Sequence, residues 1–295
     1  MIRVILKGRL GNNLFQYAIG RALSDKHAVP LVLDASKLRP KVWADSSSII
    51  QLPLKAEILR KLSIPEKIIR KLTKEKRLTL RKMNIVLEGD NVAFDPTILG
   101  TPDDTLLRGY FQTPLYFENI GDKLRREIDL TGIAWLPPTR DFAARLTDSE
   151  SVAVHIRRTD YLGSSEWNVC NIEYYASAMA HMKTVLNEPH FHIFSDDPEW
   201  CRTQFDLPDQ TVVDFSRIAA SPLHDLYLMS CARHHIIANS SYSWWAAWLG
   251  KKDGQRVLTP SKWTNDADRF PIQEKLCEGW QTLATTGTEQ HNPNL

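Results

Sequence analysis

The segment Ser151-Val-Ala-Val-His-Ile-Arg-Arg-Thr-Asp160 runs from a strand-forming apolar stretch straight into two arginines and an aspartate. A guanidinium at such a strand end can grip a diphosphate bidentately and offset the charge that grows when a phosphate leaves. Successive side chains of extended backbone point opposite ways, so only one of Arg157 and Arg158 easily faces a ligand. Local chemistry alone fits a structural Arg–Asp pair equally well.

A second junction of the same kind is Ile236-Ile-Ala-Asn-Ser-Ser-Tyr-Ser243. Small hydroxyl residues leading into a helix leave its first N–H groups able to meet an anion. Plain N-capping by Asn239 or Ser240 uses the same residue types. In Phe194-Ser-Asp-Asp-Pro-Glu199, Asp197 before Pro198 reads as an N-cap, while Asp196 is open to a ligand. Asp225 opens another helix, where capping competes with accepting hydrogen bonds from a purine edge. Trp244, Trp245 and Trp248 read as core rather than as a sugar platform.

Metal sets are poor. Asp266-Ala-Asp268 lies in a polar loop, and His234-His235 and His190-x-His192 lack third and fourth ligands. Gly8-Arg-Leu-Gly11 is only half of a dinucleotide-binding glycine pattern. No metal or other cofactor is expected.

These junctions need parallel strands to position them, and the pattern alternates β and α throughout. Arg3–Leu6, Leu31–Leu33, Ile85–Leu87 and Thr105–Leu107 read as strands of a first domain, with helices over Leu14–Lys26 and Phe117–Ile128. In the second half, strands are expected at Ser151–Ile156, His190–Phe194, Thr211–Val213, His235–Ala238 and Val257–Leu258. The helices between them are expected at Glu173–Leu186, from Pro198, at Leu223–Ala232 and at Tyr242–Leu249. The reading is α/β: residues 1–148 form one domain, 149–284 a second, and 285–295 a disordered tail. Ligands of such sheets bind at the carboxyl ends of the strands, in a cleft that two such domains would face.

The 295 residues are 43% hydrophobic and 24% charged with a net charge of +2, ordinary for a globular protein and unlike a dedicated nucleic-acid binder. No apolar stretch is long enough to span a membrane, and Met1-Ile-Arg-Val does not read as a secretory leader, so none is expected. Cys170, Cys201, Cys231 and Cys277 are scattered and read as reduced thiols, so a cytoplasmic location is expected. Lys55 to Lys82 carries eleven basic and three acidic residues, a local +8. Ile58, Leu62, Ile68, Ile69 and Leu72 recur at helical spacing there, and Ser63-x-x-Glu66 resembles a capping box. The run is read as a basic helical insertion: either a solvated helix pair or a peripheral contact with anionic lipid on the inner membrane face.

Six segments in order resemble the α-1,2-fucosyltransferase family, glycosyltransferase family 11. They are Gly8-Arg-Leu-Gly-Asn-Asn-Leu-Phe-Gln-Tyr-Ala18, Arg108-Gly-Tyr-Phe-Gln112, His155-Ile-Arg-Arg-Thr-Asp-Tyr161, Phe194-Ser-Asp-Asp-Pro198, Asp225-Leu-Tyr-Leu-Met-Ser230 and His234-His-Ile-Ile-Ala-Asn-Ser-Ser-Tyr-Ser-Trp-Trp245. The basic run has no counterpart among them. The resemblance implies a GT-B-like fold of two Rossmann-like domains and metal-independent, inverting transfer of L-fucose from GDP-β-L-fucose. The acceptor would be the 2-hydroxyl of a terminal galactose, on an oligosaccharide or a lipid-linked glycan.

By that resemblance Arg157 binds the β-phosphate and stabilises the departing GDP. His155, Asp160 and Asp196 would line the donor, Asp225 would accept from the guanine edge, and Ser240, Ser241 and Tyr242 would sit at the phosphates. Gly11 and Asn12 would complete the donor contacts. Asp160 and Glu166 are the candidate bases. Where many members carry His-Gly, this chain has Trp167-Asn168, in a loop expected to border the acceptor. The alternatives are an enzyme using another GDP-sugar, such as GDP-mannose, and a non-catalytic sugar- or nucleotide-binding paralogue.

Overall fold

Runs such as Ile2-Arg-Val-Ile5 and Ser151–Ile156 are buried along their whole length, as strands covered on both faces are. The computed structural model describes residues 1–38, 44–61, 83–89, 92–216 and 221–285, with backbone only for 44–47. The chain divides into two compact units, Met1–Asp129 and Leu130–Leu295.

The first unit is built on β1 (Ile2–Ile5), β2 (Leu31–Asp34), β3 (Glu57–Leu59), β4 (Asn84–Leu87) and β5 (Thr105–Arg108), in the order β3-β2-β1-β5-β4 and parallel throughout. Helix α1 (Leu10–His27) follows β1 and α2 (Gly121–Glu127) closes the unit. A Cβ on Gly20 would come within 2.6 Å of Val4 and 2.8 Å of Leu31, so glycine lets α1 lie directly on the sheet. Beside it Glu127 accepts from Arg21 Nε at 2.9 Å and Nη2 at 3.0 Å, and from the Tyr17 hydroxyl at 2.8 Å.

The second unit starts with α3 (Pro137–Asp148), β6 (Ser151–Ile156), α4 (Thr159–Leu162), α5 (Ile172–Val185), β7 (His190–Ser195) and α6 (Pro198–Gln204). It continues through β8 (Gln210–Val212), α7 (Pro222–Cys231), β9 (His234–Ile236), α8 (Ser241–Leu249), β10 (Val257–Pro260) and β11 (Trp280–Leu283). The sheet order is β11-β10-β9-β6-β7-β8, again parallel. Helix α5 buries Tyr174, Tyr175, Ala178, Met179 and Met182, at helical spacing, against Val152, Val154, Phe191 and Ile193. Each such large apolar side chain contributes roughly 1.5–3 kcal/mol. Helix α8 is apolar on all sides and buries Trp244, Trp245 and Trp248; Trp244 Nε1 donates to the Lys275 carbonyl at 2.7 Å.

The architecture is α/β and GT-B-like, two parallel-sheet Rossmann-like units in one chain. Three expectations differ in detail. The boundary falls at Asp129/Leu130 rather than 148/149, because α3 packs within the second unit: Phe142 meets His192 edge-on and Thr139 bonds His224. Residues 57–59 of the basic run form edge strand β3 rather than helix, paired with β2, and residues 62–82, with the capping box, lie outside the described residues. Strand β11 was not expected at all; it has a single neighbour, β10, and its Trp-Gln-Thr-Leu sequence neither alternates nor holds a Val or Ile. The tail beyond residue 285 also lies outside the description. No described helix is long and apolar enough to cross a membrane, and no disulfide joins the four cysteines.

Candidate functional site

In a parallel sheet the ligand crevice lies where the chain leaves a strand for neighbours on opposite sides. In the second unit that strand is β6, with β7 on one side and β9 on the other. Its register pairs Ile156 with Ser195 and Val154 with Ile236, so the residues after β6 meet Asp196 on one flank and the Asn239 turn on the other.

Arg157 lies at this switch point. Its Nη2 is 2.7 Å from Asp160 Oδ1 and its Nη1 is 3.2 Å from Asp196 Oδ2. Its guanidinium stands 5.6 Å from the Tyr161 ring centroid. Asp196 also accepts from the Arg158 N–H at 2.9 Å and from Thr159 Oγ1 at 2.6 Å. It is thus committed to this chain's own donors and fixes the β6 end to the β7 end. Arg158 turns the other way: Nε bonds Asp197 at 3.0 Å and the guanidinium lies 3.4 Å over Trp200. Asp197 caps α6, accepting from the Trp200 N–H at 3.2 Å.

His155 is buried beside Arg157, its ring 5.6 Å from that of Tyr242. Burial, with the Arg157 charge added and Asp196 opposing, pushes the imidazole down to about 4, so it is neutral near pH 7. Its Nδ1 is buried without a hydrogen-bond partner among the described residues.

Ser240, not Asn239, caps α8, accepting from the Tyr242 N–H at 3.3 Å. Asn239 holds three loops together: Nδ2 donates to the Trp167 carbonyl at 3.0 Å and the Trp263 carbonyl at 2.8 Å, and its own carbonyl accepts from Tyr161 at 3.3 Å. Ser241 sits at the first turn of α8. The Tyr242 hydroxyl donates to the Pro222 carbonyl, which joins this turn to the start of α7. Ser221 caps α7, so the Asp225 carboxylate is spared that task and stays 42% exposed, with His224 Nδ1 at 3.2 Å from Oδ1.

The second unit therefore gathers His155, Arg157, Asp160 and Asp196 with the Ser240–Tyr242 turn, and α7 brings Asp225 to the same group of loops. Glu166 has a partner of its own. It pairs with Arg269 at 3.0 Å, in the loop after β10, and its carbonyl accepts from the Asn265 N–H at 3.0 Å. The residue 161–171 strap is thereby fastened to the loops that follow β9 and β10.

Gly11 and Asn12 lie in the first turn of α1, at the switch point of the first sheet. Asn12 Oδ1 accepts from Gln112 at 2.6 Å. Gly8 has φ +79°, and a Cβ there would come within 2.5 Å of Asn12. Two features here escaped the sequence. Glu88 accepts from the Tyr110 and Phe111 N–H groups, both at 2.6 Å, and holds Phe111 at φ +53°. The Lys7 ammonium lies 3.8 Å over the Tyr110 ring, and burial lowers its pKa, with Glu88 opposing. Neither contact has a spacing signature.

No three His, Cys, Asp or Glu side chains come together as a metal set among the described residues. His234 bonds Glu150 at 2.7 Å, His190 bonds Thr211 at 2.8 Å, and Asp266 accepts from the Arg269 N–H at 3.2 Å.

The profile of Glycosyl transferase family 11 matches residues 1–284. The chain belongs to glycosyltransferase family 11. An α-1,2-colitosyltransferase of Escherichia coli is 31% identical over 267 residues, covering 88% of this chain and 90% of that protein. A galactoside α-(1,2)-fucosyltransferase 1 of Ateles belzebuth is 34% identical over 108 residues, which is 35% of this chain and 29% of that one. Among solved structures, E. coli ADP-heptose lipopolysaccharide heptosyltransferase II aligns at 12% identity with a TM-score of 0.48, over 96% of this chain and 89% of its own. As a family 11 member the chain is a glycosyltransferase.

Proposed function

We propose that this enzyme transfers L-fucose from GDP-β-L-fucose to the 2-hydroxyl of a terminal galactose, with inversion to an α-1,2 linkage. The observation that carries the reading is Arg157, held between Asp160 and Asp196 at the switch point of the second sheet. The galactose oxygen attacks the anomeric carbon as the bond to the β-phosphate oxygen breaks, and GDP leaves with the electron pair. Arg157 offsets the charge that grows on it, without a metal, and the Ser240–Tyr242 turn receives the phosphates. Asp225 accepts from the guanine N1–H and amine, and His155 and Asp160 complete the donor contacts of the second unit. Asp196 acts through Arg157. The transition state is oxocarbenium-like, so the acceptor proton leaves late, to the Asp160 carboxylate or to solvent, and no strong base is needed.

One observation favours a second donor: the relative similar over 88% of the chain is named for colitose, the 3-deoxy counterpart of L-fucose. The test offers GDP-fucose and GDP-colitose separately with β1-3- and β1-4-linked galactosyl disaccharides and reads the product linkage by NMR. An α-1,2-fucosyl product is expected. Transfer from GDP-colitose alone replaces the donor, and a linkage to another hydroxyl ends the acceptor assignment.

A further inference from the structure

The residue next to Asp225 is fully buried, yet it is a histidine with a partner on each nitrogen. His224 Nε2 lies 2.9 Å from Thr139 Oγ1, and Nδ1 lies 3.2 Å from Asp225 Oδ1. Thr139, on α3, is itself fully buried. An ionised carboxylate only accepts, so Nδ1 carries the hydrogen toward Asp225 and Nε2 accepts from the threonine hydroxyl. Aromatic rings hold the imidazole in place: Trp135 stands edge-on at 5.8 Å and Phe215 lies tilted at 4.8 Å, while Trp135 stacks on Tyr227 at 4.9 Å. In that setting an apolar residue would pack without any desolvation cost. The polar chain Thr139–His224–Asp225 leads from the interior to one half-exposed carboxylate and stops there.

We propose that Thr139 and His224 are positioning residues that set the base selectivity of the donor site by fixing the orientation of the Asp225 carboxylate. The proposal rests on the reading of Asp225 as the guanine acceptor. Guanine offers two parallel donors on one edge, N1–H and the 2-amine. A carboxylate fork takes both only when its plane is set beforehand. Hypoxanthine keeps N1–H and lacks the amine, so the ratio of GDP to IDP affinity reads carboxylate orientation directly. A site built to bond a donor group disfavours the analogue lacking it, because an acceptor that the bound base covers from water is left unpaired.

The experiment is calorimetric titration of the full chain with GDP and with IDP, for the wild type, Thr139→Val, Thr139→Ser and His224→Phe. The wild type is expected to favour GDP over IDP by about tenfold or more, the worth of one hydrogen bond to a partly exposed charged group. Thr139→Val, which keeps the shape and loses the hydroxyl, should reduce that preference to about threefold or less, as should His224→Phe, while Thr139→Ser should retain it. An unchanged GDP-to-IDP ratio in Thr139→Val overturns the inference. So does an equal weakening of both ligands, which is what a merely structural role predicts. Because Thr139→Val alters so little volume, it carries the test even where His224→Phe does not fold. A wild type that binds neither nucleotide overturns the donor reading itself, an outcome distinct from loss of the ratio.

Discussion

Asp196 holds Arg157 from the neighbouring strand, with Oδ2 3.2 Å from Nη1, and the same carboxylate takes the Arg158 N–H at 2.9 Å and the Thr159 hydroxyl at 2.6 Å. One side chain thus sets both the guanidinium and the turn that carries it. Asp196→Asn keeps the shape but exchanges one acceptor oxygen for a donor facing the arginine. Turnover should fall about 10- to 100-fold, taking the range for lost partners that orient a metal's ligands, since Asp196 orients Arg157 in the same manner. Asp196→Ala should also lose about 1–3 kcal/mol of stability by stranding the Arg158 N–H. Steady-state kinetics and urea unfolding check both; wild-type kcat in Asp196→Asn ends the positioning role.

Arg157 itself should be irreplaceable. Removing one preorganised donor to a developing anion costs about 10²–10³ in kcat, so Arg157→Ala should lose at least that. Arg157→Lys keeps the charge and loses the fork, so it cannot meet Asp160, Asp196 and a phosphate together and should be impaired to a similar degree. Near-wild-type turnover in both variants removes Arg157 from the reaction.

How much of this was readable beforehand differs by element. Strand ends announce themselves because apolar runs stop at Arg157, Asp196 and Asn239, and Pro198 and Pro222 mark helix starts. The opposed directions of Arg157 and Arg158 followed from extended geometry. Edge strands β3 and β11 were missed for one reason: three or four residues with a single neighbour need no strong pattern. The Thr139–His224–Asp225 chain and the Glu166–Arg269 pair join residues 85 and 103 positions apart, which no local spacing encodes. The boundary near 148 came from closing the first domain just before the strand at Ser151, whereas α3, which Pro137 and Pro138 begin, packs within the second unit.

Glu166 should prove dispensable for chemistry. Its pair with Arg269 is partly exposed, a class of contact worth about 0–1 kcal/mol, and it fastens the 161–171 strap to the loop after β10. Glu166→Gln should keep kcat within about threefold, with any change appearing in acceptor KM, since a lost rim contact weakens binding before it slows reaction. A kcat loss of about a hundredfold or more with normal melting would instead make Glu166 the base, the scale of a lost general base.

Gly20 tests the close packing of α1. A Cβ there meets Val4 at 2.6 Å and Leu31 at 2.8 Å, both on central strands with little room to retreat. Alanine normally favours a helix over glycine by about 1 kcal/mol. Overpacking costs about 1–3 kcal/mol, so Gly20→Ala should be net destabilising. A raised melting temperature would show that the sheet yields.

Acid stability should be governed by buried histidines before any carboxylate. His155 and His192 are pushed down to about 4 and His235 to about 3, each first by burial, from an ordinary value of 6.5. His235 is fixed neutral by geometry: Nε2 donates to the Met229 carbonyl at 2.9 Å while Nδ1 accepts from Gln255 at 3.1 Å. Between pH 6.5 and about 4 the unfolded chain binds protons at these sites and the folded chain does not, so stability falls as pH falls through that window. Each group adds a slope of up to about 1.4 kcal/mol per pH unit. The depressed carboxylates Asp34 and Asp214, the latter at about 2, act in the same direction only below the ordinary carboxylate value of 3.8. Urea midpoints measured from pH 7 to 4.5 should therefore drop steeply, and His192→Phe should remove about a third of the slope. A flat profile, or one that rises on acidification, is incompatible with three neutral buried imidazoles.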